Sequence, residues 1–256
     1  MTSFPPPRII SLLSDQLDGA GPRDTGLSHA IALAVGEGGL PETLRLHPTS
    51  EVVAFGRQDT LSPGYGAAVR AARQAGCVPV ERLAGGRAAV FHRGSLAFSW
   101  AIPTAEPRAG IHARFAALAD LMAAAFRSLG LDARVGEVSG EYCPGAYSVN
   151  LGGRLKVMGV GQRLVRGAAH LGGVVVVRDA ARLRRILIPV YRALELEWHP
   201  ETAGAISDAL PDIELDTVRR AILDELSAHA TLEPATAPIS VLERASVLAS
   251  AHTPGP

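Results

Sequence analysis

Lysine is nearly absent from this chain. Its 25 basic residues include a single lysine, Lys156, and the rest are arginine. Cysteine is almost as scarce. Cys77 and Cys143 are far apart and lack metal-ligand spacing, which argues against a disulfide framework or a zinc site and fits a reducing cytoplasm. None of the eight histidines forms an i, i+4 pair, so no metal is expected. Neither sign of charge is in excess and no arginine run exceeds two, which speaks against nucleic acid or a membrane surface as partner. The apolar runs are too short to span a bilayer, and Met1–Pro7 has no basic region leading into an apolar one, so a soluble, unprocessed, cytoplasmic protein is expected.

What is present is enough for a full core: 256 residues, 47% of them hydrophobic. The pattern reads as one catalytic-size domain over 1–228 and a tail over 229–256. That tail carries a short helix near 241–248 and an end, 251–256, expected to be disordered. Asp24-Thr25 reads as the cap of a helix over 25–37. Short strands follow at 43–46, 52–55, 78–83, 88–92 and 95–102, with a helix over 66–75 between them. Residues 112–130 place Phe115, Leu118, Met122, Phe126 and Leu129 on one helical face. A second block of strands at 147–150, 155–160, 163–166 and 174–177 precedes helices at 179–195 and 214–228. Strands and helices do not alternate regularly, which predicts an α+β fold of mixed or antiparallel sheets flanked by helices.

Three features point to chemistry. A chain that meets its need for positive charge with arginine has reason to keep lysine where a compact ammonium on a flexible stem is required. Strand alternation puts Lys156 on one face with Met158 and Val160, beside apolar surface, where an ammonium would stabilise an oxyanion strongly. In Arg82-Leu-Ala-Gly-Gly-Arg87, glycines let backbone N–H groups approach an anion, while Arg82 and Arg87 are suited to hold one. An ordinary surface turn accounts for the same residues. His92, Ser95 and Ser99 lack the Gly-x-Ser-x-Gly elbow of a hydrolase. Arg182, Arg184 and Arg185 read as a solvated helix face or as a docking surface. Cys77 reads as a buried apolar residue.

Taken together, the blocks resemble a known family. Arg82-Leu-Ala-Gly-Gly-Arg-Ala-Ala-Val-Phe-His92, then Gly153-Arg-Leu-Lys156-Val-Met-Gly159-Val-Gly161-Gln162, then His170-Leu-Gly-Gly-Val are similar to the ordered signatures of lipoate-protein ligases and octanoyltransferases. The likeness covers roughly 24–228. It implies a fold shared with biotin-protein ligases, Lys156 at the acyl carbonyl, and a substrate pocket formed by Arg82, Gly85, Gly86, Arg87, His92, Gly159, Gln162 and His170.

That family divides by how the acid is activated. Its ligases use ATP and Mg²⁺ to form an acyl-adenylate, whereas some transferases take octanoyl from acyl carrier protein through a cysteine thioester and need no cofactor. Gly85-Gly86-Arg87 resembles the transferase form, and Cys143 stands just before the lysine block, where those transferases keep their nucleophile, although two residues closer to it. The resemblance therefore implies acyl transfer to a lysine of a lipoyl carrier domain, of the glycine-cleavage H protein or dehydrogenase E2 type. An ATP-dependent ligase and a non-catalytic acyl- or adenylate-binding module remain the alternatives.

Overall fold

The computed structural model describes residues 8–13 and 21–255, and the readings of Met1–Pro7 and Pro256 fall outside them. The fold is α+β, as expected. Eight strands form one mixed sheet: β1 (Ile9–Leu13), β2 (Thr43–Pro48), β6 (Ser95–Pro103), β7 (Ala133–Val135), β8 (Val149–Leu151), β9 (Leu155–Val165), β10 (Ala168–Val176) and β11 (Thr231–Ala235). Their order is β11-β1-β2-β6-β10-β9-β8-β7. The two pairs made by β1 are parallel and the rest antiparallel. A smaller sheet, ordered β4-β3-β5, comprises β3 (Val52–Phe55), β4 (Val78–Glu81) and β5 (Ala89–Phe91).

Alternation along each strand decides what covers each sheet. Leu44, Leu46, Phe98, Trp100 and Leu171 face helices α4 (Ile111–Ser128) and α6 (Leu215–Ser227), which contribute Leu118, Met122, Phe126, Val218 and Ile222. Each such side chain adds about 1.5–3 kcal/mol on leaving water. Val53, Phe55 and Val90 of the small sheet pack on α3 (Tyr65–Gln74) and α5 (Ala180–Ala193), while Val52, Ala54 and Val80 form a separate group on its opposite face. That opposite face looks across a gap at the large sheet. A one-turn helix, α2 (Arg57–Thr60), precedes α3. Among the described residues no helix is long and apolar enough to cross a membrane.

Several boundaries differ from expectation. Helix α1 (Pro22–Gly36) starts earlier, at Gly21 with Pro22 in its first turn, because the Asp24 carboxylate is bound by Arg45 instead of capping the helix. β9 is one strand where two were expected, and β10 begins at Ala168 and not at 174. Both run through glycines whose weak strand preference is overridden by pairing with neighbours on each side. β1, β7 and β11 are additional strands. The short helix expected near 241–248 is α7 (Ile239–Leu248), packed on α1, but the expected disorder beyond it is corrected, since a 3-10 turn, Ala249–His252, buries His252 against His29 (3.1 Å) and the Glu81 carbonyl (2.8 Å).

Candidate active site

The gap between the two sheets is a cavity of about 690 Å³, within the range of small-molecule sites. Its roof is Val52, Ala54, Val80, Ala89 and Phe91 of the small sheet. Its floor is made thin by glycine. In register across the large sheet lie Arg45, Ser99, Gly172 and Gly161, and in the next row on the same face His47, Ala97, Val174 and Gly159. A Cβ on Gly161 would lie 2.9 Å from the Gly85 carbonyl, so the Gly85-Gly86 loop rests directly on β9. Glycine at 159, 161 and 172 leaves that part of the floor without side chains.

Cys143 closes one end. It is half-buried, lines the cavity, and is held in a left-handed conformation at φ 43°. Its Sγ accepts the backbone N–H of Arg87 at 3.2 Å and faces the Arg82 guanidinium at 3.6 Å. Its own N–H donates to the Tyr191 hydroxyl at 2.8 Å, which in turn donates to the Ala88 carbonyl at 3.0 Å. Burial pushes the thiol up, but the charges of Arg82 and Lys156 and the Arg87 N–H outweigh it, and its pKa falls below the ordinary 9.0. Arg82 is tied back to the Gly85 carbonyl, and a Cβ on Gly86 would lie 2.9 Å from the sulfur at a φ of +108°. The loop thus admits only glycine there.

Lys156 is buried, 1% exposed, and its ammonium gives its three protons to the Glu141 carboxylate (2.8 Å), the Tyr142 carbonyl (2.9 Å) and the Cys143 carbonyl (2.7 Å). It also lies 4.8 Å from the centre of the Tyr142 ring. Reaching an acyl carbonyl requires exchanging one of these partners. In this arrangement the lysine holds the cysteine loop in its left-handed turn and adds positive charge beside the sulfur. Strand alternation put Lys156 with Met158 and Val160; that is corrected. A bulge between the Val149–Met158 and Asn150–Lys156 pairs reverses the alternation, turning Lys156 to the cavity side with Gly159 while Met158 joins the core.

The other expected site residues divide. Arg82, Gly85, Gly86, Gly159, Gln162 and His170 line the cavity. Gln162 is fixed by Arg114 at 2.8 Å and the Ile111 carbonyl at 3.2 Å. Two are corrected. Arg87 reaches the site with its backbone N–H only, because its side chain turns to buried Asp59 at 3.4 Å. His92 is buried in the turn after β5, outside the cavity, since its Nδ1 is drawn to the Gly94 N–H at 3.0 Å. The docking face is also partly spent: Arg182 pairs with Glu51 and Arg184 bonds the Ala203 carbonyl.

Sequence reasoning missed Glu141, which besides Lys156 accepts from Ser148 (2.6 Å), Val138 N–H (2.9 Å) and Gly145 N–H (3.1 Å). The available signal was its place two residues before Cys143. It also missed Tyr191 and the polar group Asp24, Ser28 and His47, which no local motif marks.

The two thiols should separate by pH. Iodoacetamide is expected to alkylate Cys143 at a rate that levels off below pH 9.0, because a lowered pKa keeps thiolate populated as pH falls. Cys77, buried and pushed up to about 11, should lag until far higher pH. Coincident profiles, read by peptide mass, would contradict this.

The model of the lipoyl protein ligase A/B catalytic domain matches residues 24–227. An octanoyl-[GcvH]:protein N-octanoyltransferase of Geobacillus kaustophilus is 32% identical over 187 residues, covering 73% of this chain and 65% of that protein, so the chain spans just under two thirds of it. Another with the same name, from Bacillus velezensis, is 26% identical over 78% of this chain and 74% of its own length. The crystal structure of a lipoate-protein ligase A bound with ATP shares the fold, with a TM-score of 0.75 at 21% identity over 95% of this chain and 94% of that one. The family match takes in most of α1, the small sheet, strands β2 and β6 to β10 of the large one, the glycine loop, Cys143 and Lys156, and this chain belongs to the lipoyl protein ligase A/B catalytic domain family.

Proposed function

We propose that this protein transfers an octanoyl or lipoyl group to the ε-amine of a lysine on a lipoyl carrier domain, through a thioester on Cys143. The observation that carries the reading is the cysteine itself: a thiol of lowered pKa at the end of a largely apolar cavity, with a backbone N–H and a guanidinium on its sulfur. The names of the relatives specify octanoyl held on GcvH as the donor, and we take an octanoylated carrier of that type as the donor here.

The Cys143 thiolate adds to the acyl carbonyl carbon of the donor. The tetrahedral adduct collapses to a thioester and expels the donor lysine, whose nitrogen takes one proton from solvent. The acceptor amine then adds to the thioester carbonyl, loses one proton, and expels Cys143 as thiolate. One amide is exchanged for another, so no nucleotide is needed, and the covalent intermediate divides a slow transfer into two easier ones. Lys156 serves by fixing the Tyr142 and Cys143 carbonyls, which sets the direction of the sulfur. Two free thiols suit a reducing, cytoplasmic place of action.

Mass measurement of an apo acceptor lipoyl domain tests this. Octanoylated H protein, octanoyl-acyl carrier protein, or free lipoate with ATP and Mg²⁺ is supplied as the donor. Acylation from a protein-bound donor without nucleotide is expected. Modification only with ATP would make the protein a ligase, and none under any condition would make it a binding module.

A further inference from the structure

Asp59 of α2 is fully buried, and a carboxylate out of water keeps its charge only where donors compensate it. Its two oxygens are divided between two partners. Oδ2 accepts the Gly56 N–H at 2.9 Å, and Oδ1 faces the Arg87 guanidinium at 3.4 Å. Arg82, Tyr65 and Tyr191 are further titratable groups near it.

Both partners lead to one peptide. Gly56 packs directly against the peptide joining Gly86 to Arg87, so that a Cβ on Gly56 would overlap the Gly86 carbonyl. One residue earlier, the Phe55 carbonyl accepts the Arg82 N–H at 2.9 Å, which fastens the start of the glycine loop to the end of β3. Arg87 fastens the other end, through Asp59. The N–H of that same peptide is the one on Cys143 Sγ, at 3.2 Å. Gly85 and Gly86 have no side chains with which to hold the loop in shape, and Gly86 sits at a φ of +108°. Its restraint comes from the turn Gly56–Asp59 packed against it.

We infer that Asp59 is a positioning residue of the acyl-transfer site: by holding Gly56 and Arg87 it fixes the Gly86–Arg87 peptide and keeps the Arg87 N–H on the Cys143 sulfur. This deepens the acyl-transfer reading and rests on it. The N–H bonds the sulfur most strongly when the sulfur is an anion, which is the state that attacks the donor and the state expelled when the acceptor amine adds.

The first measurement needs no donor. Asp59→Asn keeps the shape and an acceptor for Gly56 but releases the Arg87 guanidinium. The Cys143 alkylation profile is expected to move to higher pH, with about tenfold less thiolate at a given pH, the effect of losing one hydrogen bond to an anion. Charge alone predicts the opposite sign, because removing a negative group nearby favours the thiolate. A profile that stays in place or moves to lower pH overturns the inference. Cys77 should keep its own profile, and a change there of the same size would report a loosened core and overturn it too. Should the asparagine variant not fold, Arg87→Met breaks the same pair from its partly exposed side. Arg82 and Lys156 supply the charge acting on the thiol, so the same upward move in Arg87→Met comes through the N–H and upholds the inference, while an unmoved profile overturns it. Transfer from an octanoylated carrier by Asp59→Asn should also fall about tenfold with melting near that of the native protein. Undiminished transfer overturns the positioning role. A native protein that transfers from no donor sinks the acyl-transfer reading instead, and the thiol profile then decides on Asp59 by itself.

Discussion

Cys143→Ser is expected to form no acyl-enzyme and to transfer no octanoyl above background, a fall of at least about 10³-fold, as for loss of a nucleophile elsewhere. The surroundings of the sulfur explain the size of the effect. Arg82 and the Arg87 N–H favour an anion there, and a thiol with a lowered pKa reaches that state more readily than an ordinary one. A serine hydroxyl in the same place ionises far too weakly to do so. It still accepts the Arg87 N–H, so the fold should persist, with stability changed by less than about 1 kcal/mol. Intact mass of the protein after exposure to the donor, mass of the acceptor, and thermal melting read the three quantities. Undiminished transfer by the serine variant would remove the thioester from the mechanism.

Lys156→Arg should lose transfer by about 10²-fold or more, the cost of misplacing a reacting group by roughly an ångström. Charge is conserved in this change, but geometry is not. The ammonium sits where three acceptors converge, with its Cε 3.3 Å from where a Cβ on Gly159 would lie and its Nζ near the Tyr142 ring. A planar guanidinium cannot converge on all three, and the space beyond is filled. Stability should fall too, because disturbing a buried ion pair leaves Glu141 poorly compensated; complete removal of one partner costs about 3–5 kcal/mol. A purely structural lysine would lower melting temperature alone. In Lys156→Met, which removes the charge as well, a positioning lysine also shifts the Cys143 alkylation profile to higher pH, since its charge helps hold that thiol down. Normal transfer with an unmoved profile would leave Lys156 without a part in the chemistry.

How much of this was legible in the sequence depends on range. Lys156 stood out by scarcity, and the Gly85-Gly86 loop and Cys143 by ordered blocks; these are local signals. The α+β class followed from irregular alternation of strand and helix. What could not be read were pairings over long separations. Asp24 and Arg45 meet from a helix and a strand, and Tyr191 reaches Cys143 from a helix 48 residues on. β11 hid behind Pro234, which an edge strand tolerates and a sequence pattern reads as a break. Lys156 was placed on the wrong face because one bulge outweighs any count of alternating residues. His92 matched its motif and still lies outside the cavity, since a signature fixes residue types and not where a buried ring points.

The burial of the single lysine has a consequence for the protein's own chemical safety. An activated acyl group is attacked by any amine that can approach it, and an ordinary protein surface offers many. Here the one lysine side chain has no proton to spare and no access to solvent. The arginines that replace it elsewhere stay protonated and do not act as nucleophiles. A protein so composed can hold a reactive acyl group without offering a lysine of its own to receive it.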